Sequence, residues 1–144
     1  MTHEPGRVMA LDVGGRRIGV ALSDTTRVLA SPLTTVRAEP RARALAELSK
    51  LVRDYEVAEL VVGLPLTLSG EVGPQAMLVR VFAEQLQSAL GIPMQLFDER
   101  LTTVAAERMM IDLGMKPEQR KARIDEVAAS IILQDFLDSI RDRS

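Results

Sequence analysis

Three acidic positions stand where carboxylates could do chemistry. Asp12 closes the apolar run Val8-Met9-Ala10-Leu11 and is followed by Val13, Gly14 and Gly15. A carboxylate at a strand end, where glycines let backbone approach closely, can hold a hard cation; the same Asp-x-Gly can also be a turn aspartate bonded to backbone amides. Asp98, Glu99 and Arg100 follow a second apolar stretch. Strand residues alternate in direction, so one of the two acids faces any site built there, whereas the structural alternative is a charged cluster that favours the dipole of the next helix. Asp125 shares a small apolar stripe with Ala128, Ala129 and Ile132 at helical spacing. If buried it must be paired, protonated or metal-bound; if exposed it is a plain helix cap.

Cations cluster near these acids. Arg16 and Arg17 follow the glycines, and Lys116, Arg120, Lys121 and Arg123 precede Asp125, with Glu118 the only acid from Met115 to Arg123. Such an excess can grip phosphates or simply solvate a connecting loop. Taken together, carboxylates from three distant segments at the ends of adjacent strands and a flanking helix could hold two divalent ions about 4 Å apart, which activate water and stabilise the leaving oxygen of a phosphodiester.

The elements that must position these groups can be read from pattern. Arg7–Val13 reads as a buried strand and Ile18–Ser23 as a second, paired with it as a hairpin through Gly14 and Gly15. A weaker third strand falls around Val28–Val36, where Pro32 favours an edge. Pro40 suits a helix start, with Leu45, Leu48, Val52 and Tyr55 as its buried stripe. Glu59–Leu64 is apolar throughout its centre, as in a strand covered on both faces. A second helix starts at Pro74, with Leu78, Val81, Phe82 and Leu86 inward, and stops at Gly91 and Pro93. Met94–Asp98 is a fifth strand, Thr102 or Thr103 caps a helix running to Gly114, a polar connection spans Met115–Arg123, and a last helix runs from about Asp125 to Ile140. The order β-β-β-α-β-α-β-α-α implies an α/β fold with a mixed five-stranded central sheet and helices on its faces.

Composition narrows the chemistry. The 144 residues suit one domain, 1–144, with residues 1–6 as a flexible N-terminus. With no cysteine and one histidine, His3, thiolate sites, disulfides, a histidine triad and a zinc centre are not expected. No apolar run approaches a membrane span, and the first residues lack a signal-peptide core, so a cytoplasmic location is expected. A net charge of −2 confines any nucleic-acid binding to a local basic patch. Three phenylalanines and one tyrosine offer little for base stacking.

Nearly the whole chain resembles the YqgF/RuvX group of Holliday junction resolvases and ribosomal RNA maturation nucleases. The resemblance rests on Leu11-Asp12-Val13-Gly14-Gly15-Arg16-Arg17-Ile18-Gly19-Val20-Ala21, Val61-Val62-Gly63-Leu64-Pro65-Leu66, Gly70-Glu71-Val72-Gly73-Pro74, Asp98-Glu99-Arg100-Leu101-Thr102-Thr103, and Asp125-Glu126-Val127-Ala128-Ala129 through Ile132-Leu133-Gln134. It implies an RNase H-like fold, Mg²⁺ or Mn²⁺ as cofactor, and a nucleic-acid substrate, branched DNA or precursor ribosomal RNA. It carries the catalytic, metal-binding acids onto Asp12, Glu99 and Asp125, with Asp98 secondary. Substrate contacts then fall to Arg16, Arg17, Arg100, Lys116, Arg120, Lys121 and Arg123. Where relatives carry asparagine after Gly-Leu-Pro this chain has Thr67, whose hydroxyl could bond phosphate instead.

The leading expectation is a metal-dependent endonuclease, which on a four-way junction needs two symmetric cuts and hence a homodimer; the exposed side of the helix Pro74–Leu90 is available for one. A binding-only RNA or ribosome factor that keeps the fold is the alternative. Asp12-x-Gly14 with Gly19 also resembles the phosphate hairpin of actin-like kinases, but those need two domains and an adenosine site, for which the chain is too short.

Overall fold

Val8, Met9, Ala10 and Leu11 are all fully buried because their strand is the middle of the sheet and has a core on each side. The computed structural model describes residues 5–67, 69–99 and 102–141. Its elements are β1 (Arg7–Val13), β2 (Arg17–Ser23), β3 (Ala30–Arg37), α1 (Arg41–Asp54), β4 (Val57–Leu64), α2 (Pro74–Leu90), β5 (Met94–Asp98), α3 (Thr102–Asp112) and α4 (Pro117–Arg141). The five strands form one sheet in the order β3-β2-β1-β4-β5. β1–β2 and β2–β3 are antiparallel, while β1–β4 and β4–β5 are parallel, so the sheet is mixed as expected.

Alternation along each strand divides two cores. Met9, Leu11, Ile18, Val20, Leu60 and Val62 face α1 and α2, through Ala44, Leu48 and Val52 and through Val79, Phe82 and Leu86. Val8, Ala10, Ala21 and Val61 face α4, through Ala129, Ile132, Leu133, Phe136 and Leu137. Each such large apolar side chain withdrawn from water is worth about 1.5–3 kcal/mol. A third cluster, Ala106, Met110, Val127 and Ala128, joins α3 to α4 rather than to the sheet.

Pro32 sits on the edge strand β3, opposite Ala21, where the pairing shifts register next to Val20. An edge tolerates the missing N–H. Gln134 of α4 ties the approach to that edge, accepting from Ala30 N at 2.9 Å and donating to Val28 O at 3.0 Å. Arg27 holds the start of the chain, donating to Gly6 O at 2.8 Å and Pro5 O at 3.1 Å, and pairs with Glu59 at 2.8 Å.

Three sequence expectations need correction. In α2 the inward residues are Ala76, Val79, Phe82, Ala83 and Leu86, whereas Leu78 is 61% and Val81 41% exposed. Small alanines take the close contacts with α1 and the sheet, which rotates the larger pair outward. In α1, Pro40 is the residue before the helix, and Ala44 joins Leu48 and Val52 in the core while Leu45 is half-buried. The polar stretch 117–123 is not a loop but the first two turns of α4, which puts Asp125 in the third turn and removes it as a cap.

Candidate active site

The backbone brings Asp12 and Glu99 to one face and one end of the sheet. Asp12 continues the α4-facing row Val8–Ala10. On β5, Phe97 packs against the α4 core, and Glu99, two residues on, points the same way while Asp98 points to the other side. Glu99 N extends the ladder by donating to Leu64 O at 3.2 Å. β1, β4 and β5 run parallel, so these strand ends lie together, where ligand crevices form in open α/β sheets.

Two strand glycines make the space. Asp12 pairs with Gly19, and a Cβ added at Gly19 would lie 1.9 Å from the backbone oxygen of Asp125. Only a residue without a side chain lets α4 descend there, and that descent sets Asp125 beside Asp12. Gly63 does the same for Glu99: a Cβ there would lie 2.9 Å from the Glu99 carboxyl carbon and 2.7 Å from Ile132 Cδ1. A glycine inside a strand pattern signals such an approach, and this was the available sequence sign of both positions.

Electrostatically, Asp12 and Glu99 behave as one half-buried acid pair. Burial is the main cause that pushes the Glu99 carboxyl up to about 9, followed by the Asp12 charge, the hydrogen bond to Asp12 and the charge of Asp98. Burial also raises Asp12, opposed by the bond it accepts from Glu99 and reinforced by the charge of Asp125. At neutral pH Glu99 therefore keeps its proton and donates it to the Asp12 carboxylate.

Asp125 is brought near but not into this pair. Its Oδ2 takes an ion pair from Arg17 Nε at 2.8 Å. Among the described residues no three carboxylates converge as a ready-made metal cage. Of the other expected contacts, Arg16 is exposed in the β1–β2 turn. Lys116 precedes α4, and Arg120, Lys121 and Arg123 lie on its opening turns. Arg120 donates to Met115 O at 2.9 Å, and Arg123 reaches Glu126 at 3.4 Å. Arg120 and Lys121 line a cavity of 380 Å³ against α3, with Glu107, Met110, Pro117 and Ile124. Arg100 lies outside the described residues. The Thr67 hydroxyl is occupied within its own loop, accepting from Glu71 N at 3.1 Å and bonding Ser69 at 3.0 Å. Sequence reasoning passed over Arg37, the last residue of β3, directly opposite Arg17.

Comparison with known proteins agrees with this architecture. A "Putative pre-16S rRNA nuclease" of Roseiflexus sp. (strain RS-1) is 71% identical over 141 residues, which is 98% of this chain and 100% of the relative. A protein of the same description from Chloroflexus aurantiacus (strain ATCC 29366 / DSM 635 / J-10-fl) is 58% identical, over 93% of this chain and 88% of its own. The solved structure of T. thermophilus RuvC in complex with Holliday junction substrate superposes with a TM-score of 0.59 at 15% identity, covering 94% of this chain and 96% of that one, and so shows a common RNase H-like fold. Residues 6–139 match the RuvX family, described as Holliday junction resolvase, and the chain belongs to that family.

Proposed function

We propose that this nuclease is a divalent-metal-dependent endonuclease whose centre is Asp12, Glu99 and Asp125. One observation carries the reading: two half-buried carboxyls from separate strands are hydrogen-bonded to each other, with Glu99 held protonated up to about 9. A fold gains nothing from such a pair by itself, since like charges at that depth cannot both ionise without a cation. The donors are all carboxylate oxygens, which suits a hard ion such as Mg²⁺ or Mn²⁺. Asp125, half-buried and held by Arg17, is the third oxygen donor within reach of a side-chain movement.

When bound, the metal supplies the charge that activates water and stabilises a leaving oxygen. The chain's own groups do the rest. Asp12 is held on the central strand, which is paired on both sides. Glu99 gives up its proton when the pair becomes a ligand set. Arg17 holds Asp125 in place, and its exposed guanidinium can turn to a phosphate once that acid has another partner. Arg16, Lys116, Arg120, Lys121, Arg123 and Arg100 are proposed to grip the backbone of a structured nucleic acid.

The substrate is a four-way DNA junction or the 5′ end of precursor 16S ribosomal RNA, met in the cytoplasm as one 144-residue domain, and junction cutting would engage two copies. Wild-type protein and Asp12→Asn are to be incubated with both substrates, with Mg²⁺ or Mn²⁺. The expected result is cleavage of at least one substrate by wild type and a loss of about 10³-fold or more in the variant, the scale on which removing a group acting within a catalytic unit is felt. Undiminished cleavage by a folded Asp12→Asn would overturn the site. Binding without cleavage by wild type would favour the binding-only factor.

A further inference from the structure

The arginine that opens β2 and the one that closes β3 are set against each other. Arg17 and Arg37 are direct cross-strand partners. Their neighbours Ile18 and Val36 belong to the core under α1 and α2, so by alternation both arginines project to the α4 face. Like charges directly opposite on a sheet destabilise it. Arg17 has the Asp125 carboxylate at 2.8 Å, whereas Arg37 is exposed and has no hydrogen bond or ion pair among the described residues. The fold thus carries a repulsive pair at the same sheet end as the two half-buried acids.

Position gives that cost a use. Asp12 pairs with Gly19 two residues inward from Arg17, and Gly19 pairs in turn with Thr35, two residues inward from Arg37. Across the sheet, β3, β2 and β1 carry Arg37, Arg17 and Asp12 on adjacent strands about 4.8 Å apart, and Glu99 reaches back from the end of β5 over Gly63 of β4. Arg37 stands two strand spacings, about 10 Å, to the side of Asp12 and two residues further toward the strand ends, farther than a scissile phosphate but within reach of a neighbouring one. β3 is the sheet edge, so nothing in the sheet lies beyond Arg37 to block a strand that leaves the site in that direction.

We propose that Arg37 is a phosphate-binding residue, pairing with Arg17 to hold the backbone phosphate adjacent to the one cleaved and to direct the substrate strand out across the β3 edge. An anion between the guanidiniums turns the repulsion into attraction, and two planar forks suit phosphate oxygens. The proposal rests on the reading of this chain as a nuclease. It assigns Arg37 to binding, not to the chemical step.

The test is the salt dependence of binding to a fluorescent four-way DNA junction and to a precursor 16S ribosomal RNA fragment, measured in EDTA so that neither is cut. Arg37→Gln is expected to weaken binding and to lower the slope of log K against log salt by about 1, the contribution of one phosphate contact. Arg37→Lys is expected to retain most of the slope, and Arg53→Gln, an exposed arginine at the end of α1, to leave it unchanged. In cleavage assays Arg37→Gln should raise KM with kcat nearly constant. Arg37→Gln should also raise the melting temperature of the free protein, because the repulsion is relieved, an effect that loss of a structural contact would not give. A slope equal to wild type in Arg37→Gln, or an equal fall in Arg53→Gln, overturns the proposal. Failure of wild type to bind either polynucleotide overturns it together with the nuclease reading, and is distinguished by leaving no slope to compare.

Discussion

A proton between Asp12 and Glu99 marks a site that is better suited to another occupant. The pair is partly withdrawn from water, and at neutral pH Glu99 stays there as the neutral acid. Replacement by an uncharged isostere removes that constraint and keeps a donor to Asp12. Glu99→Gln is therefore expected to stabilise the metal-free protein at pH 8 by roughly 2 kcal/mol, or about 5 °C for a chain of this size, while cleavage is lost. Thermal melts in chelator at pH 8 and pH 5 measure this, and the gain should shrink at the lower pH, which lies close to the ordinary glutamate value of 4.5, so that keeping the folded acid neutral costs much less there. A loss of stability at pH 8 would mean that Glu99 is a structural acid. Arg17 and Arg37 show the same economy, in that local stability is given up where an anion is to be met.

Among the elements, α4 does most to assemble the site, and its placement depends on one missing side chain. It crosses β3, β2, β1 and β4, and its 25 residues make it about 37 Å long. At Gly19 its backbone comes within a methyl group of the sheet. Gly19→Ala is expected to cost about 3 kcal/mol, the upper range for overpacking, since the obstacle is backbone and not a flexible side chain. Gly15→Ala, where an added Cβ meets nothing within 4 Å, should be neutral within about 0.5 kcal/mol. Urea midpoints of the two variants make the comparison, and equal midpoints would remove the argument. The element order and the β1–β2 hairpin are legible in the sequence because period-2 and buried-strand patterns are strong there. The start of α4 is not, because residues 117–123 carry no apolar stripe and are helical by continuity with the amphipathic turns from Ile124 onward. The face of α2 is hidden because side-chain size is a poor guide to inwardness where Ala76 and Ala83 fill a narrow contact. At the site, alternation along β5 favours a single acid, and the strand does turn Glu99, not Asp98, toward Asp12. The Arg17–Asp125 pair has no sequence sign, since ion-pair partners distant in sequence cannot be read from spacing.

For the whole molecule these shifts set a pH profile that metal should invert. The ordinary glutamate value is 4.5 and that of folded Glu99 is about 9. Between those limits the folded chain holds a proton that the unfolded chain has released, so stability falls as pH rises: it is fully present below about 4.5 and lost by about 9. Asp12 and Asp135, both raised mainly by burial, act in the same direction. Asp24 is lowered by the hydrogen bonds it accepts from Thr26, Leu29 and Val28, so it acts oppositely and only in acid, its contribution being lost as pH falls below the usual carboxylate range. The metal-free protein should thus be most stable near pH 5 and weaken steadily toward pH 9. Divalent cations need the ionised carboxylates, so their binding releases protons and strengthens as pH rises. At a hundredfold excess over its dissociation constant a bound ion adds about 2.7 kcal/mol, enough to flatten or reverse the decline above pH 7. Mn²⁺, which lies above Mg²⁺ in affinity for such donors, should do so at lower concentration. Urea midpoints at pH 5, 7 and 9, in EDTA and in saturating Mn²⁺, give the two curves directly. Curves that stay parallel over the whole range would show that no metal engages the acid pair; convergence at pH 5 with separation at pH 9, abolished in Glu99→Gln, would place the ion on Glu99.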